Sequence, residues 1–284
     1  MYLSFLPDEA IDDFAAGLRL GAELGLRSAE IRLVDGVNVL DLSDAQIERA
    51  KELLAEHDMT VSAVATPFFK CPLPGQEQEA AGNLHGAKIL SYEDHLALLP
   101  RGVEIAQAFG TPYMRIFSFW GEAEADFWPA LDEAVAAALE ATAGSGITPC
   151  LENEGACYIR TSADLAQAAA RYSDPRLKFI WDPGNSTLRG RPPQAEDFAV
   201  VADRVALAHL KDGVYDPASE TGTVRLIGQG QTDYRAELTR LTEAGYDGAL
   251  TFEPHYCPEG DCVAGLRQSA AAIRRIAAEV NITL

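Results

Sequence analysis

Strand and helix signals alternate eight times along this chain, and that alternation limits its fold more than any other feature. Tyr2–Phe5 is a short apolar strand, and Ile11, Phe14, Leu18 and Ala22 follow at helical spacing. Ser28–Leu33 alternates as a second strand with Glu30 and Arg32 on one face, and Ser43 with Gln46 forms a capping box ahead of Ile47, Ala50 and Leu54. Val61–Ala65 is the third strand, expected to end at Pro67. The other five are Tyr113–Phe117, Ile147–Leu151, Leu177–Trp181, Val205–Leu210 and Ala249–Phe252. A helix capped by Ser91 and Asp94 precedes Tyr113; Pro100 is expected to kink or restart it before it ends at Gly110. Another opens with Thr161 and Asp164, and the last covers Val263–Val280. Consecutive strands separated by helices pair in parallel. Eight such units in 284 residues predict an α/β fold, a closed (β/α)8 TIM barrel with residues 1–284 as one domain. A doubly wound open sheet is the runner-up.

Two long segments interrupt the alternation. Residues 67–90 lack periodicity and are punctuated by Gly and Pro, as expected of a lid or binding loop. A second loop separates the seventh strand from the helix capped by Asp233.

Charge and motif content exclude several function classes. Forty-three acidic against 23 basic residues give a formal charge of −20, which repels phosphate backbones, so no nucleic-acid partner is expected. No apolar run is long enough to span a bilayer, and the first nine residues lack a basic leader, so neither a membrane nor secretion is expected and the location is read as cytoplasmic. The five cysteines, at 71, 150, 157, 257 and 262, contain no Cys-x-x-Cys; free thiols are expected, with Cys257 and Cys262 as a weak candidate pair. No dinucleotide fingerprint, P-loop or nucleophile elbow is present.

Chemistry gathers at the strand ends, where a barrel of this kind places its functional groups. The stretch Ile147–Gly155 begins as a buried strand and ends in Glu152-Asn153-Glu154, which calls for a nearby cation. The sixth strand ends in Asp182, the seventh carries His209, and the eighth ends in Glu253. Three carboxylates and an imidazole on four successive strands suit one divalent cation. Without it the converging acids would raise one another's pKa values. Taken singly, each residue also reads as a loop acid or a core histidine. Other polar strand-end residues are candidate substrate contacts: Arg32, Thr66, Lys70, Arg115 and Lys211, with His255 ranked below the four ligands. Lys211 either polarises a carbonyl or pairs with Asp212 or Glu253; Arg115 either binds an anion or pairs with Glu152 or Glu154. Phe117, Phe119, Trp120 and Trp181 either wall a sugar face or pack in the core.

These segments resemble the sugar isomerase/epimerase group of xylose isomerase-like barrels, which includes ketose 3-epimerases, hydroxypyruvate isomerase and inosose dehydratase. The resemblance rests on Glu152-Asn153, Asp182-Pro-Gly-Asn185, His209-Leu-Lys211-Asp212, Gly228-Gln-Gly230 through Gly248 with Glu253, and Glu30-Ile-Arg32 with Asn38–Ser43. It implies that Glu152, Asp182, His209 and Glu253 hold one metal ion, with Mn²⁺ the first choice and Mg²⁺, Co²⁺ or Zn²⁺ as alternatives. It implies Glu152 and Glu253 as the proton-transfer pair, Lys211 as a further catalytic group, and a small carbohydrate as substrate. The implied reaction is isomerisation or epimerisation by proton abstraction next to a carbonyl, through an enediolate. A lyase or dehydratase on a keto-sugar or keto-inositol is the alternative, and an inactive barrel serving as a binding subunit is the third. A homodimer is implied by the resemblance alone. The same barrel also serves apurinic-site endonucleases, which the acidic charge and the single histidine ligand disfavour. Departures fall on substrate positions: Asn185 and Tyr215 stand where free-ketose 3-epimerases carry His and Arg, and Glu154 where dehydratase-like relatives often carry His. Glu154 and Asn185 are therefore the positions expected to set the substrate.

Overall fold

A computed structural model of the protein describes residues 1–76, 88–121 and 126–284. Eight strands form the barrel: β1 (Tyr2–Phe5), β2 (Ser28–Ile31), β3 (Thr60–Phe68), β4 (Tyr113–Ile116), β5 (Thr148–Glu152), β6 (Lys178–Trp181), β7 (Val205–Leu210) and β8 (Ala249–Phe252). Each pairs in parallel with its neighbours in chain order, and β1 closes the ring against β8 with Tyr2 opposite Ala249. The intervening helices are α1 (Phe14–Glu23), α2 (Asp44–Glu56), α3 (Tyr92–Ala108), α4 (Trp128–Ala141), α5 (Ser162–Arg171), α6 (Ala195–Val201), α7 (Tyr234–Glu243) and α8 (Cys262–Glu279). Capping boxes at Ser43/Gln46, Ser91/Asp94 and Thr161/Asp164 all form, because each satisfies orphan amide donors within a single turn. The main core lies between strands and helices, and Ala63, Cys150, Ile180, Ala206, Leu207 and Ala249 fill a separate cluster. Among the described residues no helix is long and apolar enough to cross a membrane.

Four local expectations are corrected. β3 does not stop before Pro67; it continues to Phe68, because the pairing register with β4 slips between Val64 and Phe68 and the ladder does not need the missing Pro67 N–H. The Thr66 hydroxyl donates to the Arg115 carbonyl across that slip, at 2.5 Å. α3 runs unbroken through Pro100, held on both sides by buried Leu99 and Val103. The loop after β7 contains an antiparallel pair, Asp212–Asp216 with Thr221–Arg225. Its polar, exposed residues carry no apolar alternation to announce it. Cys257 and Cys262 are joined in a disulfide, where free thiols were expected; the turn at Pro258–Gly260 brings their Cα atoms to 4.1 Å. Of the expected binding loop 67–90, residues 77–87 lie outside the described residues.

One core position ties stability to pH. His95 of α3 is 1% exposed and packs against the rings of Phe68 and Phe69. Neither ring nitrogen has a hydrogen-bond partner among the described residues. Burial disfavours the imidazolium and pulls its pKa from 6.5 down to about 4. The unfolded chain takes up this proton below its ordinary pKa, whereas the folded chain does not until about pH 4. Stability is therefore full above the ordinary histidine pKa, and this group removes about 3 kcal/mol as the pH falls towards the folded value. Urea unfolding across that range should show this loss in the native chain, and His95→Phe should flatten the profile. Parallel profiles for the two proteins would exclude the assignment.

Candidate metal centre

At the C-terminal end of the barrel, four of the residues read from the sequence come together. One ligand-capable atom each from Glu152, Asp182, His209 and Glu253 lies within 4.8 Å of the others, and all four side chains are buried. Each comes from the end of a different strand: Glu152 is the last residue of β5, Asp182 follows β6, His209 is the penultimate residue of β7 and Glu253 follows β8. His209 Nδ1 is 3.1 Å from Glu152 Oε1, 3.0 Å from Glu253 Oε1 and 3.8 Å from Asp182 Oδ2. Despite these distances, neither Nδ1 nor Glu152 Oε1 is in hydrogen-bond geometry with a partner among the described residues. Three carboxylates and an imidazole converging on one point, with the imidazole Nδ1 and a Glu152 oxygen unpartnered, fit a hard or borderline divalent ion. Among the described residues this is the one such cluster of acids, histidines and cysteines.

The local chain explains why these side chains point inward. Asp182 caps the short helix Pro183–Leu188: its Oδ1 accepts from the Asn185 amide N–H at 2.8 Å. Asn153 bridges to the Asp182 backbone twice, accepting from its N–H at 3.0 Å and donating to its carbonyl at 2.8 Å. Gly184 lets this turn lie against β7, since a Cβ there would overlap the Lys211 carbonyl oxygen.

Lys211 places its ammonium 2.5 Å from Asp182 Oδ2 and in contact with Glu253. It does not pair with Asp212, whose carboxylate is taken by the backbone N–H groups of Gly213, Gly228, Gly230 and Thr232. Burial works against the charged forms of Asp182, Glu253, Lys211 and His209. Burial pushes Asp182 up to about 6, with Glu253 in the same sense and Lys211 opposing. Glu253 stays well below the carboxylate range in spite of burial, because Lys211 and His209 face it. Lys211 and His209 are raised well above their ordinary values against their burial, Lys211 chiefly by Asp182 and His209 chiefly by Glu30.

The expected substrate contacts divide into two groups. Arg32 gives its donors to Asp8 at 2.6 Å and Glu9 at 2.6 Å, acids of the one-turn helix Pro7–Ala10 after β1. Arg115 pairs with Glu152 at 3.1 Å, and its remaining donors reach the carbonyls of Ala65 and Thr66. Asn185 Nδ2 donates to Asp182 and to the Asn153 carbonyl, and reaches Glu154 at 3.3 Å. Thr66 is bonded to backbone, as described above. Glu154 and His255 are the less committed pair. Glu154 is 3.4 Å from Lys70; burial pushes its carboxyl up, but the charges of Lys70, Lys211 and Arg115 together hold it at about 2. His255 is 3.1 Å from Glu9 and 3.9 Å from Glu253, and one third of its side chain is exposed (34%). Of the aromatics, Phe117 and Trp120 form a small cluster with Cys157, and the ammonium of Lys70 and the guanidinium of Arg115 approach the Phe117 ring at 4.9 and 4.7 Å. Phe119 and Trp181 belong to the main core.

Sequence reasoning named Glu30 as part of a motif but gave it no role, and did not single out Asp8 or Glu9. Glu30 is fully buried in β2 and accepts from His209 Nε2 at 3.1 Å. The available signal was an acid flanked by apolar residues inside a strand of a barrel whose mouth carries a histidine.

A model of the xylose isomerase-like TIM barrel family matches residues 18–276 of the chain. No curated protein matches it. Among solved structures, an IolI protein with a bound zinc atom superposes with a TM-score of 0.77 at 16% identity over 99% of both chains. The 3-keto-D-glucoside 4-epimerase of E. coli superposes with a TM-score of 0.72 at 16% identity, over 97% of this chain and 100% of that one. A probable 3-DHS dehydratase of Bacillus anthracis gives 0.72 at 14% identity, over 98% and 99%. At these identities the likeness is one of fold.

Proposed function

The chain belongs to the xylose isomerase-like TIM barrel family, and from that membership we propose that it is a divalent-metal-dependent isomerase or epimerase of a small, uncharged sugar or sugar derivative. The observation that carries this reading is the convergence of Glu152, Asp182, His209 and Glu253 on one buried point at the barrel mouth. These four would hold the ion, with Mn²⁺ the first choice. A bound ion supplies Lewis-acid polarisation of a substrate carbonyl and acidifies the neighbouring C–H.

The rest falls to the protein's own groups. Glu152 is held from one side by Arg115, which orients the carboxylate as a base. Glu253 lies against Lys211, so it is ionised and has the Lys211 ammonium beside it as a donor when it takes up or returns a proton. One carboxylate removes the carbon-bound proton and the other returns it. Return to the opposite face of the same carbon inverts it; return to the adjacent carbon, with the hydroxyl proton passing to the neighbouring oxygen, interconverts aldose and ketose. The Lys211 ammonium lies close enough to these carboxylates to stabilise charge developing on a substrate oxygen.

Charge supports an uncharged substrate. The buried cations of the mouth, Arg32, Arg115 and Lys211, already face carboxylates, as does Lys70. A phosphate or carboxylate would enter a site whose buried acids outnumber its cations, and it would gain no unpaired guanidinium. A lyase reading keeps the same ion and the same base but expels a hydroxyl next to the carbanion. The solved probable dehydratase with this fold is the reason to retain it.

The deciding experiment loads chelator-stripped protein with Mn²⁺ and screens free keto-sugars and keto-inositols in deuterated water. About one ion per chain is expected, with deuterium appearing at the carbon next to the carbonyl and chelation abolishing the exchange. The corresponding phosphate esters should exchange far more slowly. An unsaturated product would select the lyase reading. Absence of ion binding after reconstitution would remove the metal chemistry.

A further inference from the structure

Glu30 is a buried carboxylate to which the proton-transfer chemistry gives no role. Glu30 has no exposed surface, and its Oε1 has no hydrogen-bond partner among the described residues. Its other oxygen has one ion-pair partner among the described residues, His209 Nε2 at 3.1 Å. No lysine or arginine of the described chain bridges to it, although such a cation is the usual way to bury an acid. β2 also breaks its pairing with β3 between Ala29 and Glu30, a register shift of the kind that re-aims a side chain. Glu30 and His209 stand on strands that do not pair with one another, so the contact crosses the barrel interior.

An imidazole can offer a lone pair from only one nitrogen while the other carries the proton. The acceptor at Nε2 holds a proton there, so that when His209 gives up one proton to bind an ion it is Nδ1, the nitrogen that faces Glu152, Asp182 and Glu253, that presents its lone pair. Without an acceptor at Nε2, the opposite tautomer would place its proton on Nδ1 and donate to Glu152 or Glu253. It would then have nothing to offer an ion.

We infer that Glu30 is the positioning residue of the metal centre, holding His209 in the ring orientation and tautomer in which Nδ1 can ligate. The inference rests on reading Glu152, Asp182, His209 and Glu253 as ligands. Glu30 itself does not ligate; it acts through the histidine, as carboxylates behind ligating histidines do, where their loss costs about 10–100-fold in metal affinity.

The test measures Mn²⁺ affinity by calorimetry on chelator-stripped native protein, Glu30→Gln and Glu30→Met, together with the thermal midpoint of each metal-free protein and the visible spectrum of each Co²⁺-loaded form. Glu30→Met is expected to bind about 10–100-fold more weakly, with an altered Co²⁺ spectrum. Glu30→Gln, whose side-chain carbonyl still accepts from Nε2, should fall between native protein and Glu30→Met. If Glu30→Met does not fold, weaker binding by a folded Glu30→Gln decides for the inference, and native affinity decides against it. Native affinity and spectrum in the variants, with only the metal-free midpoint lowered, would show a purely structural acid and overturn the inference. A native protein that binds no ion, or whose affinity is unchanged by His209→Ala, would overturn the ligand reading itself.

Discussion

Glu152→Gln is expected to lower turnover by about 10³-fold or more while leaving the fold intact. The amide keeps the shape of the carboxylate but cannot accept a carbon-bound proton, and it donates less charge to an ion. Glu152 is one of four ligand candidates that meet within 4.8 Å, and it is 1% exposed. Its Oε2 accepts from Arg115 at 3.1 Å, a bond that the glutamine carbonyl can retain, so the surrounding packing should persist. Circular dichroism and the thermal midpoint check the fold, and metal content at saturating Mn²⁺ separates the two roles. A variant that binds one ion and still fails to turn over has lost the base. A variant whose activity returns with excess metal has lost only a ligand. Native turnover without added metal would remove Glu152 from the mechanism.

The largest stability effect is expected at Asp212→Ala. Its carboxylate accepts from four backbone N–H groups: Gly213 at 2.8 Å and Thr232 at 3.1 Å on one oxygen, Gly228 at 2.9 Å and Gly230 at 3.0 Å on the other. The loop follows the carboxylate so closely that a Cβ at Gly230 would collide with Oδ1. Removing the acceptor leaves these donors without partners, at about 1–3 kcal/mol for each one that stays buried. A loss of about 4 kcal/mol or more is expected, lowering the thermal midpoint by about 10 °C. Asp212→Asn keeps one acceptor oxygen and turns an amide towards two N–H groups, so it should fall between. A change of under 1 kcal/mol on Asp212→Ala would show that water replaces the carboxylate.

How much of this was legible in the sequence depended on the range of the interaction. The strands were legible because apolar runs and their flanking helices are local; Tyr2–Phe5, Val205–Leu210 and Ala249–Phe252 form as expected. The capping boxes were legible for the same reason. The four ligand candidates were legible because barrel topology turns strand ends into neighbours. Side-chain partners were less so. Arg32 meets acids of the one-turn helix Pro7–Ala10 and Glu30 meets a histidine from across the barrel, contacts that no spacing along the chain encodes. The strand pair at 212–225 escaped notice because backbone pairing, not apolar burial, defines it.

The closing of the ring has a consequence for how the protein is made. Residues from the first strand pair with those of the last, Tyr2 with Ala249, and the fourth ligand candidate follows that last strand. While the chain emerges from the ribosome, β1 and β7 are open edges waiting for β8, and such edges are exposed to mispairing. The four ligand candidates come together only when the barrel closes. On the metal reading proposed above, an ion would find its full set of ligands only in the closed ring.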